Sequence, residues 1–283
     1  MRVFPFTFVA ATALLAATPA QTAADPNREL VRKAVSAYFA NYEQMGDFAL
    51  TRRNERREYD DKGNLKTRSA VTLKTDWIEG VRWTWVVATN DKPLDGVASD
   101  THRSRLLADV GSWKEKPAAE RKRIIEESRR KQREEMDHLK EFPDALEFKA
   151  AGMEKHNGRD TLVFDFTPRP NYKSPNMKAK VFEKVRGKIW IDKADEQMVR
   201  LQAEVFDNVA FGGFLAKLEK GTRFDMEQMR IEGNRWVPKQ HLVRFDVRIL
   251  LLKSIHRQME SHYMDYRRYT GPVWSGGAKP VAE

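Results

Sequence analysis

The sequence predicts a mainly β protein of the α+β class, built around an antiparallel sheet in its second half. Within residues 181–269, apolar and polar side chains alternate in several runs; in the clearest run Val243, Phe245 and Val247 are expected on one side and Arg244 on the other. Because successive side chains of a strand point to opposite faces, this period of two predicts one apolar and one polar face. The segments between the runs are short, which favours antiparallel neighbours, since a parallel pair needs a crossover of about a dozen residues or more.

The first 24 residues are predicted to be a Sec signal peptide. Arg2 precedes an apolar run that ends near Ala17, and small residues lead up to Ala24, which is the pattern of a cleaved export signal. The run is shorter than the roughly 20 residues that span a bilayer, so a signal peptide is favoured over a membrane anchor. The chain contains no cysteine, which excludes disulfides, lipid attachment to cysteine and thiol catalysis. The sequence therefore predicts a soluble periplasmic protein.

The formal net charge is +10. A basic surface can attract nucleic acid or anionic lipid head groups, or it can simply keep a protein in solution. Export argues against nucleic acid as a partner. The lysines and arginines are spread along the chain among acidic residues, so a transient contact with an anionic membrane surface and a merely solvated surface are both open alternatives.

Two helices are predicted. The first runs from Pro26 to about Met45, with Asp25 as its N-cap and apolar side chains along one face. The second covers residues 114–141, of which eighteen are Asp, Glu, Lys or Arg; such a composition favours a helix with many i,i+4 ion pairs and little to bury. This charged helix is interpreted as an exposed, solvated element, with a partner-docking arm as the alternative.

The remaining elements are strands. Residues 48–59, 81–87, 146–153 and 162–166 have extended or alternating patterns and are separated by turns rich in Gly, Asn, Asp and Pro. The predicted divisions of the chain are a signal peptide (1–24), a single domain (25–269) with the charged insertion (114–141), and a disordered tail (270–283).

No catalytic or metal-binding motif is found. The six histidines have no metal spacing, and the sequence contains no HExxH, GxSxG, Walker or GxGxxG pattern. Asp192, Asp195 and Glu196 form an acidic turn that could hold calcium, although acidic hairpin turns are common. We predict neither a metal nor a cofactor, and we predict that the protein is not an enzyme, with a hydrolase that uses strand-end carboxylates as an alternative.

Large apolar residues in separate strands are the candidate ligand-binding residues. They are expected either to form an ordinary core or to line an apolar cavity that one helix cannot fill. The candidates are Trp83, Trp85, Phe164, Phe166, Phe224, Met226 and Phe245.

Four segments carry a resemblance to a known family. Residues 187–192 (GKIWID), 198–203 (MVRLQA), 221–224 (GTRF) and 233–238 (GNRWVP) resemble strands and turns of the lipoprotein-carrier superfamily, which includes LolA, LolB and the N-terminal domain of RseB. The resemblance implies an open antiparallel half-barrel, in which the N-terminal helix and the inserted charged helix cover or flank a concave face that holds acyl chains. This chain departs from the family in its length, in its charged helix and in lacking the lipidated cysteine of LolB. No residue here matches the family's functional arginine, so that role is not carried over.

Two function hypotheses follow. In the first, the protein is an exported carrier or sensor that binds an acyl lipid or a lipidated protein in the apolar half-barrel. Burial of the acyl chain would supply most of the binding free energy, at about 0.8 kcal/mol per CH₂. In the second, it is a non-catalytic periplasmic protein-interaction module whose cavity is filled core.

Overall fold

The computed structural model describes residues 25–78, 80–211, 216–249 and 253–271. The predicted signal peptide lies outside the described residues, as does the predicted tail beyond residue 271.

The described residues contain four α-helices and four 3₁₀ helices. The α-helices are α1 (Pro26–Glu43), α2 (Gly96–Glu115), α3 (Ala118–Met136) and α4 (Phe142–Ala145). The 3₁₀ helices are Gln44–Asp47, Asp137–Glu141, Lys178–Lys184 and Glu232–Asn234. As predicted, Asp25 caps α1: its Oδ1 accepts the backbone N–H groups of Asn27 at 3.0 Å and of Arg28 at 3.4 Å, which satisfies donors that have no partner inside the helix.

Thirteen strands are described. They are β1 (Phe48–Tyr59), β2 (Leu65–Ile78), β3 (Val81–Thr89), β4 (Lys92–Pro93), β5 (Leu146–His156), β6 (Arg159–Pro168), β7 (Val185–Asp192), β8 (Met198–Val205), β9 (Val209–Phe211), β10 (Ala216–Leu218), β11 (Arg223–Ile231), β12 (Arg235–Ile249) and β13 (Lys253–Arg268).

These strands form one sheet in the order β4-β3-β2-β1-β13-β12-β11-β8-β7-β6-β5, with β10 beside β12 and β9 beside β10. Every paired strand is antiparallel to its neighbour. The pairing of β1 with β13, from Phe48 opposite Arg268 to Tyr59 opposite His256, joins the first strands of the chain to the end of the meander. Because β4 and β5 stand at the two ends of the order, the sheet is open, and the predicted open antiparallel half-barrel is confirmed.

The two faces of the sheet differ in what covers them. We call the face on which α1 lies the inner face and the opposite one the outer face; α1 contacts β5, β8 and β12. Directly opposed residues share a face, so the register defines inner rows that cross the sheet. One row is Phe164, Ile189, Leu201, Met226, His241, Ser261 and Asn54. The next row is Phe166, Gly187, Ala203, Phe224, Val243, Met259 and Arg56.

The main core fills the inner face over β5 to β8. Val31 and Ala34 of α1 have no exposed surface and belong to one buried cluster with Phe166. The ring of Phe142 in α4 lies 5.2 Å from that of Phe166 in an edge-to-face arrangement, a geometry that aromatic pairs prefer. Gly187 is required in this layer, because a Cβ there would lie 2.7 Å from Phe166 Cζ and would overlap the backbone of β8. The helices thus cover the central part of this half of the sheet.

The charged segment 114–141 contains α3 and the 3₁₀ helix that follows it, and its first two residues are the end of α2. The segment belongs to a pair of helices: α2 ends at Glu115, Lys116 and Pro117 are extended, and α3 stops at Met136. The break has a local cause, since the residue before a proline is disfavoured in the helical region. The composition argument holds for α3 itself, in which only Arg121 is buried and four i,i+4 ion pairs involve its acidic residues.

Candidate functional site

The inner face beyond the core carries apolar side chains that the helices leave partly open. Phe224, Met226, Val243 and Phe245 are half-buried, and Met259, which lies directly opposite Val243, is 47 % exposed. We call these five residues the apolar floor. They come from β11, β12 and β13, in which the alternation of the sequence places every second side chain on the inner face. Large apolar side chains grouped in this way on an accessible face are a frequent feature of binding surfaces.

An ion-paired cluster borders the apolar floor on the side of β1. Arg257 donates from Nε and Nη2 to Glu58 Oε1, at 3.1 Å and 2.5 Å, and its guanidinium lies 5.9 Å from the centre of the Phe245 ring. Arg56 donates to the same carboxylate. These bonds, first from Arg56 and then from Arg257, lower the pKa of Glu58 to about 2. The two guanidinium groups therefore share one carboxylate.

A polar group of side chains lies at the other end of the floor. Arg52 is directly opposite Tyr263 in the register; burial raises the pKa of the Tyr263 hydroxyl, and the charge of Arg52 opposes this shift. That hydroxyl is 3.4 Å from Nδ1 of His241, and the two rings meet edge-to-face with centroids 5.2 Å apart. In the next row Ser261 Oγ donates to Asn54 Oδ1 at 2.9 Å. We call Arg52, Asn54, His241 and Tyr263 the polar end of the floor.

Burial and, secondly, the charge of Arg52 set the electrostatics of the polar end. Burial, and secondly the charge of Arg52, lower the pKa of His241 to about 4, so this imidazole is neutral near pH 7. Its Nε2 is buried and has no hydrogen-bond partner among the described residues. Arg52 itself is half-buried, and no carboxylate of the described residues forms an ion pair with it. The polar end is therefore a half-buried cation surrounded by neutral hydrogen-bonding groups.

The end of α1 stands next to the polar end. Tyr38 is 6 % exposed and stacks on Tyr42, with ring centroids 6.3 Å apart. Burial, followed by the nearby Tyr42 and Tyr263 hydroxyls, raises the pKa of Tyr38. Tyr38 thus stays protonated at neutral pH.

The structure separates the seven predicted site residues into three places. Phe164 and Phe166 lie in the filled core, with 4 % and 1 % exposure. The apolar floor contains three of the predicted residues, Phe224, Met226 and Phe245. Trp83 and Trp85 lie elsewhere: they are opposite Asp76 and Lys74, and therefore on the outer face.

The outer face at β3 is covered by α2. Trp85 lines a cavity of about 370 Å³ together with His102, Leu106 and other residues of α2. The indole N–H of Trp83 is buried and has no hydrogen-bond partner among the described residues. These two tryptophans are thus packed beneath a helix that the sequence did not predict. Their role as ligand-binding residues stays a prediction.

Val243, Met259 and the residues of the polar end are additions to the predicted site. Val243 has a signal in the sequence, because it belongs to the same alternating run as Phe245. Met259 and Arg52 have none, because their position on the inner face follows from the pairing of β13 with β12 and β1, which joins segments far apart in the chain.

The acidic turn that could hold calcium is instead an ion-pair network. Arg159 donates to both oxygens of Asp192, at 2.5 Å and 2.8 Å, and Asp195 pairs with Arg159 at 3.2 Å and with Arg230 at 3.1 Å. In the part of the chain that the structure describes, no three His, Asp or Glu side chains are grouped so that they could hold a metal ion. Within that same part, no helix is long and apolar enough to cross a membrane.

The fold and the inner face define a class of protein, an open antiparallel half-barrel with an accessible apolar surface. Comparison with models of protein families and with curated proteins finds no match. Among solved structures, the chain is similar to a domain from Vibrio parahaemolyticus assigned to outer membrane lipoprotein sorting, with 12% identity and a TM-score of 0.33 over 86% of this chain and 94% of that chain.

Two further solved structures are similar in the same way. A LolA superfamily protein from Nitrosomonas europaea has 9% identity and a TM-score of 0.27 over 83% of this chain and 93% of that one. A chain of the MucA/MucB complex from Pseudomonas aeruginosa has 7% identity and a TM-score of 0.23 over 86% and 99%. What those proteins bind is a property of those proteins, and the function of this chain has to follow from its own residues.

Proposed function

We propose that the protein is an exported, non-catalytic carrier or sensor that binds the acyl chain of a lipid or of a lipidated protein on the apolar floor. The observation that carries this proposal is the open part of the inner face, where Met259 is 47 % exposed beside half-buried Phe224, Val243 and Phe245. The core beside it is closed by α1 and α4, so the floor is the part of the inner face that is accessible to a ligand.

The arrangement of the floor along two strands suits an extended acyl chain. Val243 and Phe245 follow one another along β12, and their opposite residues Met259 and Arg257 follow one another along β13. A chain lying along these strands would contact apolar side chains on both. Burial of about ten methylene groups at about 0.8 kcal/mol each would supply roughly 8 kcal/mol, which corresponds to a Kd near 1 μM before the entropic cost of binding.

The test uses two methionines of the same strand. Met259 faces inward and is 47 % exposed, whereas Met264, opposite Thr51 on the outer face, is 37 % exposed. Because both are accessible, replacing either with Asp should cost little stability. We expect Met259→Asp to weaken binding of a fluorescent fatty acid at least tenfold and Met264→Asp to leave it unchanged. Binding should also show a negative heat-capacity change.

Failure of the wild-type protein to bind the acyl probe at micromolar concentration, with calorimetry equally silent, would reject the carrier proposal. The protein-interaction module would then be favoured, because α3 is a 19-residue helix with a single buried side chain and could dock to a partner. Native mass spectrometry of protein purified from its own host separates the two: co-purified lipid supports the carrier, and a stoichiometric protein partner supports the interaction module.

Export is a separate part of the proposal. The mature protein should begin near Asp25 and be released by osmotic shock, since the apolar run before it has the form of a cleaved signal. N-terminal sequencing checks this directly, and a membrane-bound product that still begins at Met1 would contradict it.

A further inference from the structure

We infer that Arg52 forms an anion-binding site for the head group of the acyl ligand, a carboxylate or a phosphate, with Asn54 and Tyr263 as its polar neighbours. The inference rests on the proposed function, because it names the chemistry at one end of a chain that lies on the apolar floor. The inference gives the polar end a role in binding. Burial of an acyl chain on the apolar floor would not by itself require these polar side chains.

The first argument is charge. A half-buried guanidinium without a carboxylate partner loses hydration that nothing in its surroundings restores. Arg52 is in this position: it lies opposite Tyr263, and no ion pair joins it to a carboxylate of the described residues. Arg56 and Arg257 on the same face share Glu58, and Arg82 donates to backbone carbonyls. An anionic ligand group would match Arg52 without displacing any existing ion pair.

The second argument is the arrangement of donors. The Asn54 side chain accepts from Ser261 through Oδ1, which leaves its NH₂ group free to donate. Nδ1 of His241 accepts a hydrogen bond from the Tyr263 hydroxyl in the tautomer that carries its hydrogen on Nε2. The Nε2 atom is buried and has no hydrogen-bond partner among the described residues. Planar guanidinium and amide donors beside a hydroxyl suit the two or three oxygens of a carboxylate or phosphate.

The third argument is position. Asn54 lies in the row of Met226, and Arg56 in the row of Val243 and Met259. Arg52 is therefore one row beyond Asn54, at the edge of the floor, about 7 Å along the strand. An amphiphile bound there would keep its polar group at the edge and its chain on the apolar residues.

The test compares three ligands with the same chain and different heads: laurate, dodecyl phosphate and dodecanol. Calorimetry on the wild-type protein should give tighter binding of the two anions than of dodecanol, by roughly 10- to 100-fold, the range expected for a charge-assisted hydrogen bond. Arg52→Gln should abolish this preference, so that the two anions bind no more tightly than dodecanol, and Arg52→Lys should keep part of it. The matched control is Arg223→Gln, which removes the same charge from an exposed site on the outer face.

Each outcome is decisive. Equal binding of all three ligands by the wild-type protein, or an anion preference that survives Arg52→Gln, overturns the inference while the carrier function stands. Failure of all three ligands to bind the wild-type protein overturns the carrier function itself. Inorganic phosphate without a chain separates a head-group site from a free-anion site: if it displaces laurate as effectively as dodecyl phosphate does, the head-group assignment is rejected. Thermal unfolding of each variant shows that it is folded.

Discussion

Replacing Phe166 or Phe224 by leucine distinguishes core from ligand surface within one row of the sheet. The chemical change is the same, but Phe166 is 1 % exposed and its ring meets those of Phe142 at 5.2 Å and Phe148 at 6.3 Å. Losing two aromatic pairs at about 0.5–1.5 kcal/mol each should destabilise Phe166→Leu by about 1–3 kcal/mol. At about 2–4 °C per kcal/mol, the Tm should fall by roughly 2–12 °C. Phe224 is half-buried and makes no comparable aromatic pair among the described residues, so Phe224→Leu should cost less than about 1 kcal/mol.

Thermal unfolding, monitored by circular dichroism, measures the Tm of each variant. Titration with a fluorescent fatty acid measures its affinity for an acyl chain. Phe224→Leu should weaken acyl binding at nearly unchanged Tm, whereas Phe166→Leu should lower the Tm and leave the affinity of the folded protein close to that of the wild type. The reasoning is refuted if the two variants lose equal stability, because Phe224 would then be core. It is also refuted if Phe166→Leu alone changes the affinity.

Three further predictions concern stability. Gly187→Ala should prevent or severely weaken folding, because the added Cβ would overlap the Gln202 backbone. At Gly111 a Cβ would meet nothing within 4 Å, so Gly111→Ala should stabilise α2 by up to about 1 kcal/mol. Urea unfolding of the two variants measures both effects. Burial and a neighbouring arginine lower the pKa of His241 from 6.5 to about 4. As the pH drops through this range, the unfolded state binds a proton before the folded state does, so the free energy of unfolding should fall by at most about 3 kcal/mol between about pH 6.5 and about pH 4. The variant His241→Gln should show a flatter pH dependence of stability in that window. Replacing residues 118–134 with a short Gly/Ser linker should leave cooperative unfolding intact, because the segment buries only one side chain, and loss of cooperativity would place α3 in the core.

Local signals in the sequence were sufficient for much of the fold. The strand expected at residues 48–59 is β1 without a change of boundary, because the following turn is fixed by Asp60, whose carboxylate accepts the backbone N–H groups of Lys62 and Asn64. The N-cap at Asp25 set the start of α1 in the same way. In both places a short polar side chain bonds to nearby backbone, and such a bond depends only on neighbouring residues.

The α2 helix could not be predicted from the same signals. Its apolar positions do not follow a helical stripe: Leu106 and Val110 are buried, while Val97 and Leu107 are 80 % and 47 % exposed. Gly111 in its interior further weakens the helical signal. The helix forms nonetheless, with its Asp95 cap and its contact with β3, which is a tertiary interaction that no periodicity in the chain records.

The candidate site was predictable only in part, for a geometric reason. Alternation shows that Trp83 and Trp85 share a face with each other, and that Phe224 and Met226 do too, but it does not show which face each pair occupies. That choice is set by strand register, since opposed residues point the same way. The register places Phe224 opposite Ala203 on the inner face and the two tryptophans on the outer one.

The long-range pairing of β1 with β13 is also what gives the floor its chemistry. The meander supplies the apolar residues, such as Val243 and Met259, from segments close in sequence, and by itself it would form a uniformly apolar surface. β1 comes from the opposite end of the chain, and its inner positions beside the floor include Arg52, Asn54, Arg56 and Glu58. Pairing the two strands sets a row of polar and cationic groups beside an apolar one. A surface with one apolar side and one cationic edge fits an amphiphile better than a purely apolar molecule. The wild-type protein should therefore prefer laurate over dodecanol. If Arg52→Gln keeps that preference, the pairing of β1 with β13 does not supply the head-group site.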